Sequence, residues 1–158
     1  MNKNILVIVA HPDDEAIGCG GTLAKHRADN DTIHIIYMTD GVSARENSED
    51  IDANERNEMA HAAGKYLSAK QYFFNFPDNS MDKIPLIEIV QAIESVLSQL
   101  SPDIIYTHHY GDLNIDHQIV HQAVMTANRP QPNRHIASIY TFEVNSSTEW
   151  GIQSSTNY

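Results

Sequence analysis

The run ILVIVA at residues 5–10 limits the choice of fold more than any other segment. It is short, continuous and rich in β-branched side chains, as is typical of a strand buried on both faces of a sheet. Further strands are predicted at residues 32–38, 71–76, 103–107 and 138–144, and helices at 15–29, 53–68, 85–99 and 116–128. This alternation predicts a three-layer α/β fold with a mainly parallel sheet and right-handed crossovers. The 158 residues suit a single domain, 1–158.

Three of the predicted helices carry apolar side chains that we expect to face the sheet. The helix at 15–29 would turn Leu23 and Ala24 inward, and the helix at 85–99 would begin with Pro85 in its first turn. Residues 43–52 are polar and acidic and are predicted to form a loop. The inward stripe predicted for the helix at 53–68 is Met59, Ala62, Ala63 and Tyr66. The inward stripe predicted for the helix at 85–99 is Ile89, Val90, Ile93, Val96, Leu97 and Leu100.

Composition narrows the classes of function. The formal net charge is -11 and the pI is about 5.0, so the surface opposes binding to nucleic acid or anionic lipid through charge alone. The single cysteine, Cys19, excludes a disulfide framework and a cysteine-rich zinc site. No signal peptide is evident, and no apolar run approaches the roughly 18 residues of a membrane span. The expected location is therefore the cytoplasm.

Polar and acidic residues gather where the predicted strands end. Residues 11–15 follow the first strand, 39–41 follow the second, and Asp78 follows the third. Ligands of open α/β sheets bind beyond the carboxyl ends of the strands. The sequence therefore predicts a binding site at this edge of the sheet. The fourth strand adds His108, His109, Asp112, Asp116 and His117 to the same edge.

The segment HPDDE, residues 11–15, has the residue types of a metal site. His11 and Asp14 offer nitrogen and oxygen ligands of the kind that Zn²⁺ takes, and Pro12 stiffens the turn between them. Because the side chains of Asp13 and Asp14 diverge, one can bind metal while the other acts as general base on water. The alternative is that Asp13, Asp14 and Glu15 only cap the following helix, where negative charge is favoured.

A catalytic zinc site needs a third protein ligand and an open position for water. The segment 108–121 offers His108, His109, His117 and His121. His117 and His121 are four residues apart and share a helix face, so they form an alternative two-ligand pair. His117 lies in the first turn of the helix and is better placed for metal. His121 has apolar neighbours in sequence and is expected to be a hydrogen-bonded packing residue.

The glycines of the first segment raise the alternative of dinucleotide binding. The fingerprint G-x-G-x-x-G, begun at Gly18 and Gly20, needs a third glycine where the chain has Leu23. A nucleotide-binding module is therefore disfavoured. We expect Gly18, Gly20 and Gly21 to permit close packing of the helix on the sheet, and Cys19 to be a small packing residue.

The segments AHPDDEAIGCGGTLAKH, NIDHQIVHQAV and FEVNSSTEW resemble the LmbE-like, or PIG-L, family of zinc-dependent N-acetylsugar deacetylases. The resemblance extends to about residue 150, and its first motif is the most specific. It implies a Rossmann-like α/β fold and hydrolysis of an acetamide on a glucosamine-type sugar, which gives the free amine and acetate. The zinc ligands that it implies are His11, Asp14 and His117, and the general base is Asp13.

Other positions match the family's motifs as well. Asp116 matches an acid beside the third ligand that orients a neighbouring charged group. Arg56 and Glu58 lie in a segment that resembles the helix in which arginine helps to hold substrate, although Arg56 on a solvated helix face is the alternative. Asp78 falls in a turn that resembles the family's substrate-side loop, and Tyr110 is expected to contact substrate as well.

The second motif departs from the family pattern. Many members read His-Pro-Asp-His there, and the first histidine stabilises the oxyanion or protonates the leaving amine. This chain reads NIDH, and Asn114 can donate a hydrogen bond but cannot act as an acid. His109, Asp112 or Tyr110 could replace that histidine, or Asp13 could pass its proton to the amine.

Members of the family usually continue beyond the segment SSTEW, whereas this chain ends at Tyr158. The alternatives are a fragment, an open pocket, or a pocket completed by a neighbouring subunit of a homo-oligomer. The expected partner is a small N-acetylated sugar. Other functions left open are a zinc amidase for another amide, such as a sugar–thiol conjugate, and a metal-binding protein without catalysis. Sites with two histidines and one aspartate also accept iron, cobalt or manganese.

Overall fold

The structure is a computed structural model that describes residues 2–42, 50–131, 137–145 and 147. Among these residues, every helix is too short or too polar to cross a membrane. A short 3₁₀ helix at Met81–Lys83 precedes α3. The strands are β1 (Asn4–Val9), β2 (Thr32–Tyr37), β3 (Lys70–Phe73), β4 (Ile104–His108) and β5 (Ser138–Phe142), and the helices are α1 (Asp14–Ala28), α2 (Asp50–Leu67), α3 (Leu86–Leu100) and α4 (Ile115–Ala127).

The strands form one parallel sheet in the order β3-β2-β1-β4-β5, which confirms the predicted fold class. The run ILVIVA supplies the central strand and is completely buried. The strand predicted at 71–76 is shorter in the structure, since the regular β3 strand ends at Phe73. Its continuation still bonds to the sheet, because the amides of Phe74 and Phe76 donate to the carbonyls of Tyr37 and Met38 at 2.8 and 3.0 Å.

Helices cover both faces of the sheet, as the three-layer prediction requires. Alternate residues of β1 point to opposite faces, so Leu6 and Ile8 pack in one cluster and Ile5 and Val7 in the other. The apolar stripe predicted for α3 is buried against the first cluster. Leu23 of α1 is completely buried in the second. The two clusters fix the sheet between the helix layers, with the carboxyl ends of the strands at one edge.

The start of α2 differs from the prediction. The helix begins at Asp50, so residues 50–52 of the predicted loop are helical, whereas 43–49 lie outside the described residues. Acidic residues are favoured in the first turn of a helix, because they meet the positive end of its dipole. The acidic composition that indicated a loop here is equally suited to a helix start.

The inward stripe predicted for α2 is also wrong. Met59 and Tyr66 are 69% and 65% exposed, whereas Ala60 is 4% exposed. The helix instead turns its Gly64 side to the sheet. The side-chain amide of Gln71 in β3 lies where a Cβ of residue 64 would be, so only glycine allows this approach. Gln71 Nε2 also donates to the Ala60 carbonyl at 2.7 Å. A search for apolar periodicity does not detect a contact made by a glycine and a polar side chain.

The glycines of α1 have different surroundings. A Cβ on Gly18 would collide with the ring of Phe142, so this glycine does permit close packing of α1 against β5. A Cβ on Gly20 would make only ordinary contact, 3.8 Å from the Glu15 carbonyl, and one on Gly21 would meet open space. The packing expectation therefore holds for Gly18 and is wrong for Gly21. Cys19 is 6% exposed in the core, as expected, and burial raises the pKa of its thiol to about 12.

This difference predicts opposite effects of two alanine substitutions. Gly18→Ala should lower the free energy of unfolding by about 1–3 kcal/mol, because the added methyl overpacks the Phe142 ring. Gly21→Ala should raise it by about 1 kcal/mol, because alanine is the better helix former and has space there. Urea denaturation of both variants measures the difference. Effects of the same sign would contradict the packing described for Gly18.

Candidate metal and catalytic site

A cavity of about 350 Å³ opens at the carboxyl ends of β1 and β4, beside the first turn of α4. This is the edge at which the sequence places its polar residues. Most of the lining side chains are polar or charged. They are His11, Asp13, Asp14, Gly41, Arg56, Asp78, Asn79, Asn114, His117 and Ser147.

Three donor atoms meet in this cavity with the spacing of a metal site. His11 Nδ1 lies 3.2 Å from Asp14 Oδ2, His117 Nε2 lies 3.3 Å from the same oxygen, and the two nitrogens are 3.2 Å apart. Donors about 2.0–2.1 Å from a tetrahedral zinc ion are separated from each other by roughly 3.3 Å. The spacing of these three donor atoms therefore fits a divalent ion such as zinc.

The second ring nitrogen of His117 is held by a carboxylate. His117 Nδ1 lies 3.0 Å from Asp112 Oδ2, and Ser147 Oγ donates to that oxygen at 3.0 Å. Asp112 is 1% exposed, so its contacts are made away from bulk water. A carboxylate on the far nitrogen fixes the ring's tautomer and orientation, and leaves Nε2 free to bind metal. The sequence offered Asp112 only as a replacement acid.

Asp112→Asn should therefore weaken zinc binding by about 10- to 100-fold, because the amide cannot hold the His117 ring as a carboxylate does. Competition against a chromogenic chelator measures this affinity. Asp82→Asn is the matched control, since Asp82 is an exposed residue of the short 3₁₀ helix. Equal affinities of the Asp112 variant and the parent would contradict the orienting role.

His11 is held in the same way by two other acids. Its Nε2 lies 3.2 Å from Asp78 Oδ1 and 3.3 Å from Asp116 Oδ2. Asp116 is completely buried and also accepts hydrogen bonds from the amides of Asn79 and Met81 at 2.6 and 3.1 Å. Asp116 thus joins His11 to the loop after β3. His11, Asp78 and Asp116 form a second group with metal-like spacing. Both Asp116 oxygens accept hydrogen bonds from backbone amides, whereas Asp14 Oδ2 accepts one from the amide of His11 at 2.9 Å.

The charges around the two histidines favour a cation at this place. Burial lowers the pKa of His11. The carboxylates of Asp116, Asp14 and Asp78 together have the larger, opposite effect and raise this pKa to about 11. Burial also lowers the pKa of His117, and Asp112 and Asp14 raise it to about 9. Because ligands must lose these protons to bind metal, a divalent ion would replace the positive charge that the carboxylates stabilise.

Asp13 stands at the N-cap position of α1, yet its carboxylate makes no capping hydrogen bond. Arg56 Nη1 instead donates to Asp13 Oδ2 at 2.8 Å and to the Pro12 carbonyl at 3.0 Å. This contact also accounts for Arg56, which does not lie on a solvated helix face. Burial raises the pKa of Asp13, Asp14 raises it further, and Arg56 partly opposes the rise. The Asp13 side chain therefore does not cap α1, contrary to the capping alternative. Glu58, the other residue singled out beside Arg56, is exposed on α2.

Asn114 lines the cavity and caps α4. Its Oδ1 accepts hydrogen bonds from the amides of Asp116 and His117 at 2.9 and 3.4 Å. Tyr110 does not line the cavity: it is 51% exposed, and its ring contacts His109 and His121. The predicted substrate contact through Tyr110 therefore finds no support, because this residue lies in the turn after β4 with its ring directed toward solvent and α4.

Two further histidines support the site from behind. His121 Nδ1 bonds to the His108 carbonyl at 2.9 Å, so His121 is a packing residue, and the alternative His117–His121 ligand pair is wrong. His108 is completely buried, its ring stacks on His117 at 3.8 Å, and its Nε2 accepts a hydrogen bond from the Ala10 amide at 2.9 Å. Burial lowers the pKa of His108 to about 3, which keeps the ring neutral. The residue type of His108 and its position at the end of β4 did not distinguish a supporting role from that of a metal ligand.

Residues 6–128 match the family model described as PIG-L: GlcNAc-PI de-N-acetylase. The chain belongs to the PIG-L family. The match spans the predicted zinc ligands, the predicted general base and Arg56, and it confirms the resemblance found in the motifs.

The chain is also similar in sequence to proteins described as deacetylases. It is 35% identical over 136 residues to the uncharacterized deacetylase YaiS of Escherichia coli K12, covering 82% of this chain and 70% of the relative. A shorter match, 41% identical over 39 residues, is to the 1D-myo-inositol 2-acetamido-2-deoxy-alpha-D-glucopyranoside deacetylase of Rhodococcus opacus B4, covering 25% of this chain and 13% of that protein.

Solved structures share the PIG-L fold of this chain. The N,N'-diacetylchitobiose deacetylase of Pyrococcus horikoshii superposes with a TM-score of 0.76 at 22% identity, covering 89% of this chain and 60% of that one. GalB, the 4-carboxy-2-hydroxymuconate hydratase of Pseudomonas putida KT2440, superposes with a TM-score of 0.74 at 22% identity, covering 88% of this chain and 65% of GalB. Since a deacetylase and a hydratase share it, the fold alone does not decide the reaction.

Proposed function

We propose that this PIG-L protein removes the N-acetyl group from a glucosamine-type sugar or sugar conjugate, with a zinc ion held by His11, Asp14 and His117. The observation that carries the proposal is the spacing of 3.2–3.3 Å among the three donor atoms, in the same cavity as Asp13. The family match and the sugar deacetylases among its relatives support the same reaction.

When bound, the ion would act as a Lewis acid that polarises the acetamide carbonyl and lowers the pKa of water. Asp112 and the pair Asp78 and Asp116 would hold the histidine rings so that Nε2 of His117 and Nδ1 of His11 face the ion. Asp116 would thus act by positioning His11 rather than by touching substrate.

Asp13 would serve as the general base. Its carboxylate lies in the cavity beside Asp14 and would take a proton from the water that attacks the acetamide carbon. The raised pKa of Asp13 makes it a better proton acceptor than an ordinary surface aspartate. The same carboxyl group could then return the proton to the amine as the carbon–nitrogen bond breaks, and acetate and the free amine leave. This route needs no separate acid at position 114.

Asn114 and the loop after β3 would contact the substrate. Because Oδ1 of Asn114 caps α4, its NH₂ group remains to donate to a substrate oxygen. Asp78 and Arg56 line the same cavity and offer an acceptor and a donor for sugar hydroxyl groups, although each also contacts a catalytic or ligand residue. A polar lining of this kind suits a sugar better than an apolar amide.

Acetate release tests the proposal. Protein freed of metal by a chelator and then given one equivalent of zinc should release acetate from N-acetylglucosamine or N,N'-diacetylchitobiose, and the metal-free protein should not. Parallel reactions with iron, cobalt and manganese identify the preferred ion. Hydrolysis of another amide, without release of acetate from these N-acetylated sugars, would favour the alternative of a zinc amidase. Stoichiometric zinc without any amide hydrolysis would leave a metal-binding protein and overturn the proposal.

A further inference from the structure

The backbone of Asp13 adopts a conformation that needs support. Its φ angle is +124°, in a region that side chains other than glycine rarely occupy. Such a conformation persists only where surrounding contacts hold it. The Asp13 carbonyl is held by the amides of Ala16 and Ile17, both at 3.0 Å, at the start of α1. These bonds fix one side of the residue and leave its amide to be held by another group.

Glu15 holds that amide. The Asp13 N–H donates to Glu15 Oε2 at 3.1 Å, so the side chain of Glu15 reaches back over the first turn of its own helix. The other carboxylate oxygen, Oε1, accepts a hydrogen bond from the Tyr37 hydroxyl at 2.8 Å. Glu15 is 1% exposed, unlike an acid that only meets a helix dipole at the surface. Each oxygen thus has its own donor.

Tyr37 connects this contact to the sheet. It is completely buried at the end of β2, and its hydroxyl accepts a hydrogen bond from Gln71 Nε2 of β3 at 3.2 Å. The same Gln71 amide donates to the Ala60 carbonyl of α2 at 2.7 Å. A chain of hydrogen bonds therefore runs from two strands and α2 to the backbone of Asp13. Arg56, also on α2, holds the Asp13 side chain at 2.8 Å.

We propose that Glu15 is a positioning residue, which, with Tyr37 behind it, holds Asp13 in the strained backbone conformation that directs its carboxylate to the reacting water. The inference rests on the proposed function, because it assumes that Asp13 is the base. It assigns Glu15 a role apart from metal binding: its oxygens are used by the Asp13 amide and the Tyr37 hydroxyl.

The variants that test this are Glu15→Leu, Glu15→Gln and Tyr37→Phe. Leucine removes both acceptors, whereas glutamine keeps an oxygen for the Asp13 amide and gains a donor for the Tyr37 oxygen. Glu88→Leu is the matched control, because Glu88 is an exposed acid in the first turn of α3. Tyr106→Phe controls for Tyr37→Phe, since the Tyr106 hydroxyl bonds to His26 at 3.0 Å, away from the cavity.

The first readout is hydrogen exchange of the Asp13 amide by NMR, in zinc-loaded and metal-free protein. Exchange should accelerate at least about tenfold in Glu15→Leu and return toward the parent rate in Glu15→Gln, with no change in the controls. Unchanged exchange in Glu15→Leu would show that Glu15 does not hold this amide, and would overturn the inference without reference to activity. If Glu15→Leu does not fold, Tyr37→Phe carries the same comparison.

The second readout is acetate release from N,N'-diacetylchitobiose by the zinc-loaded variants. Glu15→Leu should lower kcat by about 10- to 100-fold with KM changed less than about twofold and zinc content unchanged, and Glu15→Gln should restore most of the loss. In an Asp13→Asn background, Glu15→Leu should cost no further rate, because it acts through Asp13.

The outcomes separate the two proposals. An equal further loss from Glu15→Leu in the Asp13→Asn background would assign Glu15 a general structural role and overturn the inference alone. A parent-like rate of Asp13→Asn itself would remove Asp13 as base, and the inference would fall with it.

Discussion

Asp13→Asn is expected to lower the rate of acetate release by about 10²–10⁴-fold and to leave zinc binding unchanged. Asparagine has nearly the same shape but cannot accept a proton from water at neutral pH. It also tolerates positive φ angles better than most residues, so the conformation at +124° should persist. The donor atoms of His11, Asp14 and His117 do not include Asp13, so the metal site should remain intact.

The matched control for this variant is Asp29→Asn. Asp29 follows α1 at its other end and bonds to the exposed Lys25 at 3.0 Å, so its amide variant should keep the parent rate and zinc content. Acetate release and metal analysis of both variants decide the matter. Full activity of Asp13→Asn would refute the assignment of the base, and loss of zinc from it would show that Asp13 takes part in metal binding.

His117→Ala is expected to lower zinc affinity by roughly 10³-fold or more and to abolish acetate release. The substitution removes one of three protein ligands, a larger change than loss of the carboxylate behind it, for which about 10- to 100-fold is expected. It also leaves Asp112 buried without the ring nitrogen that it contacts at 3.0 Å. Zinc affinity is measured by competition with a chelator, and the folded state by circular dichroism.

His121→Ala is the control for this variant, because His121 lies one turn further along α4 and bonds to the His108 carbonyl. It should keep stoichiometric zinc and lose stability only, by about 1 kcal/mol for the missing hydrogen bond. If His121→Ala lost zinc while His117→Ala retained it, the assignment of the third ligand would be reversed.

Much of the fold could be predicted from sequence because its strongest signals are local. The run at residues 5–10 is apolar throughout because the central strand of a parallel sheet is covered on both faces, and the stripe of α3 follows from one buried helix face. Parallel strands also bring their carboxyl ends together, so residues as distant in sequence as His11 and His117 could be expected to meet.

The remaining features depend on contacts that residue type does not encode. The inward face of α2 is set by Gly64 against Gln71, which is invisible to a search for apolar periodicity. His108, Asp112 and His117 share one polar segment, and only the path of β4 and α4 decides which one binds and which ones support. Tyr110 is equally polar and adjacent in sequence, yet its ring turns to solvent.

The most direct test of the proposed zinc site is anomalous diffraction at the zinc edge from crystals of the zinc-loaded protein grown with acetate. We expect one strong peak bound by His11 Nδ1, Asp14 Oδ2 and His117 Nε2, with acetate beside it and within reach of the Asp13 carboxylate. A peak at His11, Asp78 and Asp116 instead, or crystals of active protein with no peak among these residues, would contradict this expectation.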